Sequence, residues 1–458
     1  MTTPSLRIAL ISEHASPLAG CVNQEAGSQN IYVAHVAREL ASMGHQVDVL
    51  TRRDACELPR VAHPWPGVRV LHIDAGPPHF VAREALLPHM PAFAEAARRR
   101  LCGAQPYDVV HANFFMSGLV GMALRLSLGV PLVTTLHSLE IVRRQHHVVA
   151  EQFPPARVGI ERALVQQSDR LIAECPQDVE DLTRLYGALP GRISTIPCGV
   201  DTQAFRPGDK AAARQRLGLP ADRFLMLHLG RLVRRKGLDN VIEAMARMAP
   251  GNDAHLLVVG GTSPEPDERL TPEIGRLRDL AAGHGLADRV EFVGRLEHAE
   301  LPDWYVAADV FVSTPTYEPF GIAPLEAMAC GLPVVGSRVG GMEHTVINGL
   351  TGFLVPPMDP DALAERLDVL RGNPEIGARM GSSGVGRVRR YYTWTQVAEQ
   401  LACVYADVAA AHKLRAARGA AAEISVRAVP DLSRSLPGPH LPRSRAAASA
   451  GSGGGVRP

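Results

Sequence analysis

Between Leu6 and Pro357 the chain alternates short, β-branched apolar runs with helical patterns, in two series separated by a turn-rich break. The first series carries strand-like runs at LRIALIS (6–12), QVDVLT (46–51), VRVLHI (68–73), YDVVHA (107–112), PLVTTLH (131–137), RLIAE (170–174) and ISTIP (193–197), with a helical pattern from about Ile31 to Met43. CGVDTQAFRPGD (198–209) has the chemistry of a linker. The second series runs through FLMLHLG (224–230), HLLVVGG (255–261), VEFVGR (290–295), VFVST (310–314), PVVGS (333–337) and GFLVPP (352–357), with helical patterns near 238–248 and 273–283. Such alternation requires crossover connections and parallel sheets covered on both faces. At 458 residues the chain also exceeds the length at which one core keeps growing. The expected fold is therefore α/β, with two doubly wound domains facing each other across a cleft. Residues 1–200 form the first and 208–390 the second, with 391–411 a closing helix that crosses back to the first. Residues 412–458, rich in Ala, Arg, Pro, Ser and Gly and without apolar periodicity, read as a disordered tail.

The totals exclude several classes. A net charge of +1 gives no argument for nucleic acid or an anionic membrane as the main partner. Arg98-Arg99-Arg100 and Arg143-Arg144 are candidate patches for a peripheral membrane contact, with solvated helix charge as the favoured reading. Seven cysteines without a CxxC pair point to reduced thiols in a cytoplasm rather than a disulfide framework or a zinc site. The apolar run in MTTPSLRIALISEH is too short for a signal peptide or a membrane span.

Chemistry concentrates in EPFGIAPLEAMACG (318–331), where Glu318 and Glu326 stand eight residues apart around Pro319, Gly321 and Pro324. Pro324 suits the first turn of a helix, and Gly331 suits its end. The amides around Gly321 and Ile322 then lie at a helix N-terminus, where phosphate or a polarised hydroxyl is well received. Glu318 on the incoming loop and Glu326 on the helix add two hydroxyl acceptors. Upstream, Gly230-Arg231 closes one strand and Lys236-Gly237 precedes a helix, so a planar fork and a compact cation flank one turn. That pair could clamp a diphosphate or form a solvated basic loop. Gly27-Ser28 permits close backbone approach before the helix near Ile31, and His137 closes the strand PLVTTLH at the same edge. In open parallel sheets ligands bind beyond the carboxyl ends of the strands, where these motifs fall.

Together the motifs resemble the retaining glycosyltransferases of family 4, which have the GT-B fold of two facing Rossmann-like domains with the active site between them. The resemblance spans roughly residues 5 to 410. It is carried by ISEHASPL, EAGSQNIYVAHVARELASMGHQVDVLTRR, VVHANFFMSG, TTLHSLE, IAECPQDVEDL, IPCGVDTQAF, GRLVRRKG, FVGRLEHAELPDWYVAADVFVSTPTYEPFGIAPLEAMACGLPVV and GGMEHTVINGLTGFLVPP. It implies transfer of a hexosyl group from a nucleotide diphosphate sugar, a UDP-sugar, to a small polar acceptor such as a sugar, sugar phosphate, inositol phosphate or cyclitol. No cofactor or metal is implied beyond that co-substrate.

The resemblance also implies roles. Arg231 and Lys236 hold the donor diphosphate, Glu318 binds hexose hydroxyls with the amides of Gly321 and Ile322, and Glu326 accepts from the ribose. Arg295 and Leu296 face the base, Gly27 lies against the diphosphate, and His137 contacts the donor sugar. The nearest subgroups are the sucrose-phosphate-synthase-like enzymes and the mycothiol-pathway enzyme that glycosylates inositol phosphate. On the acceptor side the chain departs from the latter, with Phe114 for a tyrosine, Arg83 for a lysine and Ser138 for a threonine, while Arg157 is kept. Gly27-Ser28 stands where two glycines are usual. Other readings stay open: a sugar-nucleotide epimerase of the same fold, a phosphorylase with pyridoxal phosphate on Lys210, Lys236 or Lys413, or a non-catalytic sugar-nucleotide-binding protein.

Overall fold

A computed structural model describes residues 5–18, 28–103, 105–146 and 153–427. Among these, the first series of strands comprises β1 (Arg7–Ile11), β2 (Gln46–Arg52), β3 (Val61–Trp65), β4 (Val68–Ile73), β5 (Val109–Asn113), β6 (Leu132–Thr135), β7 (Arg170–Ala173) and β8 (Ile193–Thr195). They form one sheet in the order β3-β4-β2-β1-β5-β6-β7-β8. Every pairing is parallel except β3 with β4. The second series comprises β9 (Leu225–Leu229), β10 (His255–Val259), β11 (Val290–Gly294), β12 (Val310–Ser313), β13 (Val334–Ser337) and β14 (Gly352–Val355). These give a wholly parallel sheet in the order β11-β10-β9-β12-β13-β14.

The central strands are apolar and buried, as a sheet covered on both faces requires. In each sheet the order reverses beside the first strand, between β1 and β5 and between β9 and β12. Those two reversals open crevices beyond the strand ends, and the candidate residues gather there. The strand the alternation rule missed is β3, which contains Pro64 and reads too weakly to stand out. As an antiparallel edge strand it tolerates the missing N–H of proline.

The last helix, Trp394–Arg427, buries Val397, Leu401 and Tyr405 on one face at a spacing of four. Trp394 stacks on His35 with ring centroids 5.0 Å apart, and the Tyr405 hydroxyl lies 2.6 Å from His111 Nδ1. This helix corrects one expectation, because it continues past His412 to Arg427 where a disordered tail was expected. Ala, Lys, Leu, Arg and Glu dominate AAAHKLRAARGAAAE, and their helix propensity sustains the turn pattern without an apolar stripe. Residues 428–458 lie outside the described residues. Among the described residues no helix is long and apolar enough to cross a membrane.

Candidate active site

The loop leaving β9 runs through Gly230 and an exposed Arg231 into a single 3-10 turn, Arg234–Lys236. Gly237 then takes φ 68°, and a Cβ there would stand 1.9 Å from the Thr314 carbonyl oxygen. Only glycine lets this turn lie flat on the end of β12, where Thr314 Oγ1 donates to the Gly237 carbonyl at 2.7 Å. The consequence is a contact between two loops: the Lys236 ammonium rests on Glu318 Oε2. Arg235 donates to the Tyr317 carbonyl at 3.1 Å and holds its guanidinium 4.0 Å from the same carboxylate.

Burial would raise the Glu318 carboxyl, but Lys236 and then Arg235 outweigh it and hold the group below its ordinary range. Burial also pulls Lys236 below the usual lysine range, against the stabilising effect of Glu318. The Glu318 segment is buttressed from behind by Gly340-Gly341. The Gly341 amide reaches the Pro319 carbonyl at 3.1 Å, and a Cβ on Gly340 would stand 2.0 Å from the Glu318 carbonyl oxygen.

Gly321, at φ 87°, turns the chain into the helix Ile322–Ala329, with Pro324 in its first turn. Ile322 is buried, and Glu326 points inward at 3% exposure. Both Glu326 oxygens are engaged: Oε1 lies 2.8 Å from His298 Nε2, and Oε2 accepts from the Tyr305 hydroxyl at 2.8 Å. Glu326 therefore sits as a held acceptor rather than a free one. Burial would lower the His298 imidazole, and Glu326 more than reverses that, raising it above its ordinary value. Arg295 and Leu296 follow β11, half-buried, with the Arg295 amide on the Ser263 carbonyl at 2.9 Å.

Facing these loops, His137 leaves β6 at φ 56°, a strained position for a non-glycine residue. Its Nδ1 lies 3.0 Å from Glu174 Oε1 and its Nε2 lies 3.1 Å from Asn113 Oδ1, while its ring packs edge-on to Tyr32. Both ring nitrogens thus have protein partners. Gly27 lies outside the described residues. Ser28 is the first residue of the helix Ser28–Ser42, where serine is well tolerated. Gln29 ties that helix start to the site by donating to Ser12 Oγ at 3.1 Å and to the Asn113 carbonyl at 3.2 Å. Across the cleft His146 stacks on Tyr317 at 5.2 Å, and Cys175 Sγ lies 3.6 Å from the Pro319 carbonyl oxygen.

Three of the expected acceptor residues, Arg83, Phe114 and Arg157, gather on Phe153, joined by Arg143. The guanidinium carbons of Arg157, Arg143 and Arg83 lie 4.5, 5.0 and 5.6 Å from its ring centroid. Arg157 is wholly buried, bonding Glu161 Oε1 at 2.7 Å and the Ser138 carbonyl and hydroxyl oxygens at 2.9 and 3.0 Å. Its third arm lies 3.5 Å from Glu140 Oε2. Phe114, at φ 86°, is buried beneath it with its ring edge-on to His14. Arg157 and Phe114 therefore form the floor of this region, while Arg83 lies nearer its rim. Arg143 and Arg144 both pair with Glu140, and Arg98 and Arg99 pair with Glu95 while staying substantially exposed.

Arg235, His228, His298, Tyr305 and the Gly340-Gly341 buttress were not among the site residues expected from the sequence, and Arg143 stood there only as part of a basic run. The paired glycines were the readable signal; a polar residue inside the apolar run LMLHL was another. Asp359 caps the helix Pro360–Gly372 by accepting from the Ala362 amide at 2.9 Å, so Asp359-Pro-Asp361 has a structural use. Among the described residues no group of three His, Cys, Asp or Glu is placed to hold a metal ion, and six cysteines are free thiols.

Comparison with known proteins agrees with this architecture. Residues 29–204 match the family described as Glycosyltransferase Family 4, and residues 209–385 match Glycosyl transferases group 1. D-inositol 3-phosphate glycosyltransferase 1 of Catenulispora acidiphila is 40% identical over 407 residues, covering 87% of this chain and 95% of that protein. The D-inositol 3-phosphate glycosyltransferase of Streptosporangium roseum is 37% identical over 412 residues, with 88% and 94% covered. Sucrose-phosphate synthase from Thermosynechococcus elongatus superposes with a TM-score of 0.81 at 37% identity, over 89% of this chain and 100% of that one. Two parallel Rossmann-like sheets, a cleft built at their switch points and kinship over nearly nine-tenths of the length identify the chain as an enzyme, a GT-B glycosyltransferase of family 4.

Proposed function

We propose that the chain is a retaining hexosyltransferase that moves a sugar from a nucleotide diphosphate sugar, a UDP-sugar, to a small phosphorylated polyol or sugar. The observation that carries this reading is the Lys236–Glu318 contact beside Gly321 and the helix Ile322–Ala329, opposite a cluster of three arginines. A donor diphosphate drawn to Arg231 and Lys236 would release Glu318 to accept from hexose hydroxyls. The negative charge that grows on the departing diphosphate would be neutralised by these two cations, usually the largest contribution in such a transfer. Glu326, held by His298 and Tyr305, would accept from the ribose, and Arg295 with Leu296 would border the base.

Retention follows if the acceptor hydroxyl attacks from the face the diphosphate leaves, giving its proton to the departing phosphate oxygen. Nothing in this scheme needs a metal ion, because Arg231 and Lys236 supply the positive charge. On the acceptor side, Arg83 and Arg143 would meet the acceptor phosphate above the Arg157–Phe114 floor, with Ser138 fixed by Arg157. The inositol phosphate named in its relatives and the sugar phosphate named in the sucrose-phosphate synthase favour a phosphorylated acceptor. With its described thiols free, a reducing cytoplasm suits its action.

Proton NMR of the product tests the mechanism. The anomeric coupling of the new glycoside is expected to match that of the donor, and an inverted coupling would rule out same-face transfer.

A further inference from the structure

His228 lies on β9, two residues before Gly230, and is fully buried. Its Nδ1 lies 3.1 Å from the Val312 carbonyl oxygen on β12. A carbonyl can only accept, so Nδ1 carries the proton and Nε2 presents a lone pair. Nε2 has no hydrogen-bond partner among the described residues. Leaving a buried polar atom unmatched is destabilising, a cost that a leucine or phenylalanine here would avoid.

The direction in which Nε2 points is informative. A Cβ built on Gly230 would stand 3.9 Å from His228 Nε2, 3.8 Å from Lys236 Cε and 4.0 Å from Lys236 Nζ. The bare nitrogen and the ammonium therefore flank the same glycine, at the place where the donor diphosphate is expected. The charged groups around His228 are Lys236 and Glu318, with Arg235 and Arg231 next to that pair. Burial and then Lys236 depress the imidazole to about 4, so the ring stays neutral across the working range.

We propose that His228 is a positioning residue for Lys236: its Nε2 accepts from the ammonium when Glu318 turns to the donor hexose and Lys236 engages the diphosphate. A neutral acceptor orients the ammonium without competing for its charge, as a second carboxylate would. The ammonium has three N–H groups, enough for Nε2 and two phosphate oxygens. This proposal rests on the reading of Lys236 as a diphosphate ligand.

The test is UDP binding by calorimetry from pH 6 to 10 with the full chain and with His228→Phe, His228→Gln and His228→Asn. Gln carries an amide atom near the position of Nε2, whereas Asn reaches only that of Nδ1. His228→Phe is expected to bind UDP about tenfold more weakly at pH 7.5, with the alkaline loss of affinity moved to lower pH because the ammonium has lost an acceptor. His228→Gln should recover most of both effects and His228→Asn neither. Should the Phe variant fail to fold, the difference between Gln and Asn decides. Equal behaviour of Gln and Asn, or a Phe variant with wild-type affinity and pH profile, would overturn the proposal. Lys236→Ala separates the two readings: if it binds UDP as tightly as the wild type, the diphosphate role of Lys236 itself is wrong.

Discussion

Lys236 and Glu318 are 82 residues apart in sequence and touch as an ion pair because β9 and β12 are neighbouring parallel strands. Their C-terminal loops leave the sheet side by side, and Gly237 lets one settle on the other. With side chains only 16% and 13% exposed, either partner is left poorly compensated when the other is removed, Glu318 keeping only Arg235 at 4.0 Å. Lys236→Met should destabilise the fold by about 3 kcal/mol. Lys236→Met combined with Glu318→Gln should recover most of that stability while transfer stays lost. Urea unfolding alongside turnover would show whether stability and catalysis separate in this way.

Glu326 and Glu318 should fail differently when truncated. Glu326→Ala is expected mainly to weaken nucleotide binding, and Glu318→Ala to lower turnover through a misplaced sugar. Steady-state kinetics with varied donor would reveal the split as a rise in KM for the first and a fall in kcat for the second. Turnover lost with donor affinity intact in Glu326→Ala would contradict the positional role assigned to that carboxylate.

The His298–Glu326 contact predicts a pH dependence of stability. Its imidazole is raised in the folded chain, so the stabilisation is complete below the ordinary histidine value and fades as pH rises through the folded one. The thermal midpoint of the wild type should exceed that of His298→Gln by on the order of 1–3 °C at pH 6. That gap should narrow towards pH 9; one that is flat or widening would oppose the assignment.

Gly340→Ala should displace the Glu318 segment, because the added methyl would meet the Glu318 carbonyl oxygen at 2.0 Å with φ at 48°. Gly349 has φ 80° and open space around its Cβ position, so Gly349→Ala carries the backbone strain alone, on the order of 1 kcal/mol. Comparing turnover in the two variants isolates the buttress. A large loss is expected only at Gly340.

The strand series, the two-domain division of the sheets and the residues at the strand ends were readable because strand periodicity, prolines and glycines are local signals. Glu318, Lys236 and Gly321 came from one segment and one turn, whose chemistry does not depend on distant packing. The pairings were not readable. Nothing local says that Glu326 meets His298 and Tyr305, or that both nitrogens of His137 are taken by Glu174 and Asn113. Arg143 and Arg144 looked like a solvated run until a single glutamate, Glu140, was found to gather both. The helix beyond His412 escaped because composition suggested disorder while helix propensity pointed the other way.

The most direct measurement is release of nucleoside diphosphate from a panel of UDP- and GDP-hexoses and N-acetylhexosamines, with inositol phosphate, fructose 6-phosphate and their unphosphorylated parents as acceptors. Release from a UDP-sugar is expected to depend on a phosphorylated acceptor, with a KM for that acceptor roughly tenfold higher or more in Arg143→Met. Release that ignores the acceptor, or that proceeds equally well with the unphosphorylated parents and is indifferent to Arg143, would contradict that expectation.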